Sequence, residues 1–543
     1  MLKRVFGFLT KLLLGFIFYA TPLVGIWLAS SLEAYLGGPA WMAWTAGALL
    51  FPIIPGLWEL HAWAYRKPDS KPWLTTLDRL SLKTFVVGLA FVCGLLSFYP
   101  QVAFLALSTR GDWMLDEVKD PRTERARRML FAAAGGLEWL YRATKSNPYI
   151  SQIDSEAIHS TNQATQQRES EEEKHEQEVA KTNEQDVDQQ KEVEVPKEQS
   201  QESNQTDTVD STDKNNETIA DKDAQKEDPP SKKDIAEKDK QESATESRFS
   251  KKWPWKGVTL HPVVATMPAS VETSIKSVAQ YIAKREKDPV LRIKALHDYV
   301  ADRIAYDTVA LYSGNFPSQS ARTVFETRKG VCAGYANLLT ALASAINEKV
   351  VVVVGDARDA ENSDKLAGGG HAWNAARING RWYLIDVCWD AGSVTRETGF
   401  TKKYKTEYLL TPPEVMIQSH FPDQVTWQLL DEPISLGDFL RKPMLDPSFQ
   451  AADLTLVRPT RAINETDSNA VVIVKNPDLY WLMVGLEQNG KKVGSGSYAT
   501  KSKYAKLERP LPGKGKYRLN IFANEKDEYS QYTFVGAVDF VRR

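Results

Sequence analysis

Gly330-Val331-Cys332-Ala333-Gly334-Tyr335, followed by His371-Ala372-Trp373-Asn374 and then by Asp386-Val387-Cys388-Trp389-Asp390, decides the reading of this chain. Residues 333–346 are rich in Ala and Leu, the pattern of a buried helix. That places Cys332 at a helix N-terminus, where unpaired backbone N–H groups carry partial positive charge and favour a thiolate. His371 opens a strand that runs to Ile378. Asn379-Gly380 is a two-residue hairpin signal, and residues 381–387 return as the second strand. Closing the hairpin on that turn pairs Ile378 with Arg381, Trp373 with Asp386 and His371 with Cys388. His371 and Asp386 then share a face as diagonal neighbours, roughly 7–8 Å apart at the backbone. In the order Cys, His, Asp these residues suit a thiol nucleophile, its base and the carboxylate that orients the base.

The segments RKGVCAGYANLLTAL (328–342), GGHAWNAARINGRWYLIDVCWDAG (369–392) and YLLTPPEVMIQSHFPDQVTWQLL (408–430) resemble the transglutaminase-like superfamily. Within it they are most similar to the branch of kyphoscoliosis peptidase and the cytokinesis-linked transglutaminase-like proteins. The resemblance spans about residues 258–440. It implies an α+β papain-like domain with the nucleophile at Cys332, the base at His371 and the orienting acid at Asp386. It also gives His420, within Ser419-His420-Phe421-Pro422, a structural role rather than that of a second base. Cys388 reads as a small buried apolar residue, and Trp373, Trp382 and Trp389 as cleft wall or core. An oxyanion would meet the Cys332 backbone N–H and an upstream side chain. Gln319 is a candidate by position, with a solvent-facing loop glutamine as the plainer reading.

The surrounding chain is a composite. It has 543 residues, and its net charge of −2 averages an apolar start, a charged polar middle and a globular end. Three cysteines make a disulfide framework a poor expectation. No CxxC or His/Cys spacing points to zinc, and no Gly-rich loop or basic aromatic patch points to nucleotide or nucleic acid. Neither a cofactor nor a metal is expected.

Apolar stretches at 12–32, 40–60 and 84–107 each approach the ~20 residues needed to cross a bilayer, so residues 1–110 read as a membrane anchor of three helices. Pro52 and Pro55 are placed to kink the second helix or to make it re-entrant. No charged residue sits at the centre of a stretch, which argues against a transporter. Lys3, Arg4 and Lys11 precede the first helix, the first loop has no cation, and Arg66, Lys67, Lys71, Arg79 and Lys83 lie between the second and third. This pattern puts the N-terminus inside and the globular part on the extracytoplasmic side. Arg110, Lys119, Arg122, Arg125, Arg127 and Arg128 pull the other way, and unpaired cysteines fit a reducing compartment, so a cytoplasmic domain stays as the alternative.

Residues 111–150 read as a juxtamembrane helical segment, with an amphipathic part at 127–141 suited to a membrane surface or to an ordinary connecting helix. From 151 to 250 the chain has too few apolar residues for a core and reads as a disordered charged tether. Residues 251–442 form the transglutaminase-like domain, opening with helices at 274–285 and 289–304. Residues 443–543 show short alternating runs between turn signals, as in a small Ig-like β-sandwich. The expected function is a membrane-anchored thiol enzyme acting on amide bonds of a protein or peptide substrate through a thioester, as a peptidase, amidase or acyltransferase. The alternative is a non-catalytic membrane-tethered scaffold that binds partners through the transglutaminase-like and Ig-like domains.

Overall fold

The computed structural model describes residues 2–38, 40–66, 73–115, 121–191, 252–255, 258–359, 370–494 and 498–542. Residues 162–250 form a unit separate from the rest.

Among the described residues, three spans are long and apolar enough to cross a membrane: Leu12–Tyr35, Ala40–Ala64 and Thr76–Phe98. Their outward faces carry large apolar side chains such as Phe16, Trp41 and Leu57, a surface suited to lipid rather than water. The first and third helices approach closely where Gly88 lies under Pro22: a Cβ at Gly88 would sit 3.0 Å from the Pro22 Cα. Small residues at such crossings let helix backbones meet in the absence of a hydrophobic drive. The second span is kinked, as Pro52 suggested. Regular geometry is interrupted at Phe51 (φ −156°, ψ 125°), and a new helix, Ile54–Ala64, begins beyond it.

The third span ends before the position expected from hydropathy. Its helix stops at Phe98, and Pro100 starts a new one, Pro100–Arg110, in which Ala103, Phe104 and Leu107 are fully or almost fully buried. Phe104 packs with Tyr141, Ile417, Phe421, Leu436, Phe439 and Leu440, so the apolar residues after Phe98 are covered by protein rather than lipid.

The following segment also belongs to the globular body. Asp112, fully buried, receives two hydrogen bonds from the Arg461 guanidinium (2.8 and 2.9 Å) and pairs with Arg127 at 3.1 Å. Arg441 donates to the Ser108 carbonyl at 2.6 Å and stacks over Phe131, 3.9 Å from its ring centre. One side of the Pro121–Gly135 and Glu138–Thr144 helices therefore meets the globular body through Phe131 and Tyr141, while Met129 and Trp139 within 127–141 stay exposed.

The tether expected from residue 151 is corrected at its start. Ser155–Lys191 is helical, and its first turns pack on the domain, where Thr161 donates to the Val352 carbonyl at 2.9 Å. Glu, Gln, Lys and Ala are strong helix formers, and spaced polar pairs such as Gln167 to Glu171 (3.0 Å) add support. Such a sequence can stay helical with no core of its own. The remainder of the expected tether, 192–250, lies outside the described residues, as do Lys67, Lys71 and Lys119 of the charge-asymmetry reading.

The central domain is α+β and papain-like. Strands β1 (Lys349–Ala357), β2 (His371–Ile378), β3 (Arg381–Ile385) and β4 (His420–Pro422) form an antiparallel sheet in the order β3-β2-β1-β4. The Cys332–Ser344 helix packs across β1 and β2, flanked by the Ile275–Arg285 and Pro289–Arg303 helices. Beyond residue 443 the described strands form two sheets. One holds Thr455–Arg458, Asn469–Lys475 and Tyr504–Pro510; the other centres on Trp481–Gln488, Gly515–Asn524 and Thr533–Arg542. Alternating inward residues, among them Val472, Val474, Val484, Leu507, Leu519 and Val538, fill the space between them, which makes this part a β-sandwich.

Candidate functional site

Cys332 is the first residue of its helix, and Val331 before it is extended (φ −91°, ψ −177°). Gln319 builds this start. Its Oε1 accepts from the Val331 N–H at 2.8 Å and its Nε2 donates to the Pro317 carbonyl at 2.8 Å. Gln319 is buried, not solvent-facing, and its amide holds backbone on both sides. A Cβ on Gly334 would lie 2.6 Å from Gln319 Oε1. The glycine after the cysteine is thus a matter of fit.

The Asn379-Gly380 turn has φ of 51° and 84°, and it fixes Ile378 opposite Arg381 as the sequence predicts. The ladder then ends one residue short of the predicted pairs. Its last pair is Asn374 with Ile385, because Asp386 leaves the strand to cap a short helix, Val387–Ala391, accepting from the Trp389 N–H at 3.1 Å. Trp373–Asp386 and His371–Cys388 are therefore not strand pairs, and Cys388 lies on a helix rather than in mid-strand.

The predicted contact forms all the same. His371 Nε2 donates to Asp386 Oδ2 at 2.6 Å, which leaves Nδ1 for Cys332, with whose thiol the imidazole also interacts. Cys332, His371 and Asp386 are all buried. Burial alone would discharge His371, but the negative charges of Asp386 and Cys332 outweigh it and raise the imidazole to about 10. Burial likewise opposes ionisation of Asp386, yet its contacts with His371 and His420 hold it well below the usual carboxylate range. His371 is therefore held as an imidazolium against the Asp386 carboxylate.

His420 is a second imidazole on the same carboxylate oxygen. Its Nε2 donates to Asp386 Oδ2 at 2.9 Å, and its Nδ1 is paired with Ser419 Oγ at 2.7 Å. Burial pulls His420 down to about 4; Asp386 opposes this and the charge of His371 adds to it. It stays neutral and serves to fix the carboxylate, in keeping with a structural residue. Trp389 lies 4.5 Å from the His420 ring centre and 5.5 Å from that of His371, and Trp373 is 5.1 Å from His420. These two tryptophans wall the imidazoles, whereas Trp382 pairs with Trp427 at 5.0 Å. Burial, with Asp386 and Cys332 adding, pushes the Cys388 thiol far up, so it stays protonated at neutral pH.

The ligand atoms of His371, Asp386 and His420 lie within 4.8 Å of one another, close enough for a metal ion. Both nitrogens, however, meet one carboxylate oxygen at hydrogen-bond distance, and an ion would have to displace the protons that hold this arrangement.

Three residues at the site were not anticipated. Tyr149 and Tyr306 bring their hydroxyls together beside Cys332, and burial with the charge of Cys332 raises both above the ordinary phenol range. Asn147 donates to the carbonyls of Gly355 (3.2 Å) and His371 (3.5 Å). Tyr149 and Asn147 come from a segment far upstream with no periodic signal.

Gly355, opposite His371 in the sheet, is a further point of fit. A Cβ there would lie 2.2 Å from the Phe421 carbonyl and 2.7 Å from the Pro422 Cα, both backbone atoms of the strand that carries His420. Gly355→Ala is expected to destabilise the domain by about 1–3 kcal/mol through overpacking. A denaturant midpoint equal to wild type would show that β4 moves freely.

A thiol at a helix start, an imidazole and a carboxylate on a papain-like scaffold define the class. Residues 276–387 match the model of the transglutaminase-like superfamily, and this part of the chain belongs to it. Kyphoscoliosis peptidase of Mus musculus is 29% identical over 283 residues, covering 50% of this chain and 42% of that protein. Kyphoscoliosis peptidase of Homo sapiens is 30% identical over 247 residues, covering 44% and 37%. The chain spans about two fifths of the length of these curated relatives. A crystal structure of a TGase aligns with 32% of this chain and 42% of its own at 20% identity, with a TM-score of 0.18.

Proposed function

We propose that the protein is a membrane-anchored thiol enzyme that acts on amides of proteins or peptides. The observation that supports this most is the His371 imidazole held between Asp386 at 2.6 Å and Cys332 at a helix N-terminus. The Cys332 thiolate attacks the carbonyl carbon of a glutamine side chain or a peptide bond, a C–S bond forms and the carbonyl pair moves onto oxygen. Backbone N–H groups at the helix start, beginning with that of Cys332, receive the oxyanion. The intermediate collapses, the C–N bond breaks and His371 gives its Nδ1 proton to the departing nitrogen. Water or a primary amine then attacks the thioester, with His371 taking the proton back, so hydrolysis and amine transfer share one machinery.

The experiment is to incubate the full-length protein in detergent with a glutamine-containing protein and a fluorescent primary amine, and to follow ammonia release, peptide cleavage and amine incorporation. At least one product should form above background. None from protein whose Cys332 has been shown free to alkylate would leave the scaffold reading, with the β-sandwich as the partner-binding part.

The charge asymmetry around the first two spans supports an extracytoplasmic catalytic domain. A reporter that is active only outside the cytoplasm, fused after Arg543, should be on; a silent reporter would place the enzyme in the cytoplasm.

A further inference from the structure

Cys332 is 1% exposed and His371 6%, so the thiol as found is shut away from any polypeptide. Residues 145–154 cross the site between the Glu138–Thr144 helix and the Ser155–Lys191 helix, and they are pinned along their length. Lys145 Nζ pairs with Asp356 at 2.6 Å and Asp423 at 3.3 Å. Asn147, bonded to the carbonyls of Gly355 and His371, sits against Gly370, where a Cβ would lie 2.4 Å from Asn147 Oδ1. The Gly370 position, at φ +126°, is thus shaped for Asn147. At the other end Asp154 N–H donates to Asn337 Oδ1 (3.1 Å), Ala321 N–H donates to Asp154 Oδ2 (2.9 Å), and Asn337 Nδ2 donates to the Gln152 carbonyl (2.8 Å).

Between these anchors Tyr149, 4% exposed, stands edge-on to Phe316 at 5.4 Å with its hydroxyl toward Cys332 and Tyr306. These polar anchors are individual hydrogen bonds and ion pairs, not a strand ladder, and segments held in this way open at lower cost than the core.

Resting on the nucleophile assignment above, we propose that residues 145–154 are a built-in cover over Cys332, with Tyr149 seated on the sulfur, and that a polypeptide substrate enters only when this strap lifts. The strap continues into the Glu138–Thr144 helix on one side and into the Ser155–Lys191 helix on the other, so movement of either neighbour acts on access to the thiol.

The test is alkylation of the full-length protein in detergent with iodoacetamide, with peptide mapping of Cys332 and with buried Cys388 as internal reference. Wild-type Cys332 should react slowly. Tyr149→Ala and Asn147→Ala should each speed Cys332 labelling by roughly tenfold or more while Cys388 is unchanged, since each removes an anchor or the cover itself. Tyr149→Phe, which keeps the ring against Phe316 and loses only the hydroxyl, should label more slowly than Tyr149→Ala. A selective rise in either alanine variant supports the cover. Rates unchanged in both, a rise at Cys388 in step with Cys332 in both, or wild-type Cys332 reacting as fast as in the urea-unfolded chain overturns it. Labelling needs no substrate, so the result is separable from failure to find amide chemistry.

Discussion

Cys332→Ala should abolish amide hydrolysis and amine incorporation, a loss on the order of 10⁴-fold or more, because without sulfur no thioester forms and the remaining donors only bind. The change removes one sulfur atom from the start of a helix that Gln319 and Val324 already hold, so the expected cost in stability is about 1 kcal/mol. Cys388→Ala should retain most activity: its thiol, on the Val387–Ala391 helix, is held protonated by burial with Asp386 and Cys332 adding. Turnover and melting temperature measured on both variants separate the cases. Activity surviving in Cys332→Ala and lost in Cys388→Ala would move the nucleophile.

The site was legible because its parts follow from local rules. A turn of two residues fixed the β2–β3 register, and a glycine-flanked cysteine before an Ala/Leu run fixed the helix start. His371 and Asp386 meet although Asp386 leaves the ladder at Ile385, since a diagonal approach across a hairpin tolerates one residue of divergence. What was not legible depends on contacts between distant parts of the chain. Hydropathy counts apolar residues without asking what covers them, and so ran the third span past Pro100 into Phe104, which the central domain buries, and Leu107, which packs with Leu28 and Ala134. The strap's Lys145, Asn147, Tyr149 and Asp154 show no period, because each reaches a different partner. A polar composition at 155–191 said nothing about a helix there, nor about its first turn, where Ala157 is buried.

Asp386→Ala should cost both function and stability, and its pH signature is the more telling. The wild-type carboxylate is fully buried, accepts from two imidazoles at 2.6 and 2.9 Å and caps the Val387–Ala391 helix. Removing it strands a buried imidazolium, a loss of about 3–5 kcal/mol, and frees the His371 ring to turn, a drop in turnover on the order of 10⁴-fold. In the folded wild type His371 sits at about 10, against an ordinary value of 6.5. The stability it contributes is complete below about pH 6.5 and is lost as pH rises toward 10. His420, held at about 4, contributes stability that is present above pH 6.5 and is lost as pH falls toward 4, and the lowered Asp386 extends that loss further into acid. Wild type should therefore weaken on both sides of pH 6.5. Asp386→Ala, lacking the largest charge that raises His371, should lose most of the alkaline slope between pH 7 and 10. Melting temperatures of the two proteins across pH 5 to 10 decide it: parallel curves on the alkaline side would mean that Asp386 does not set the charge of His371, and the triad would have to be redrawn.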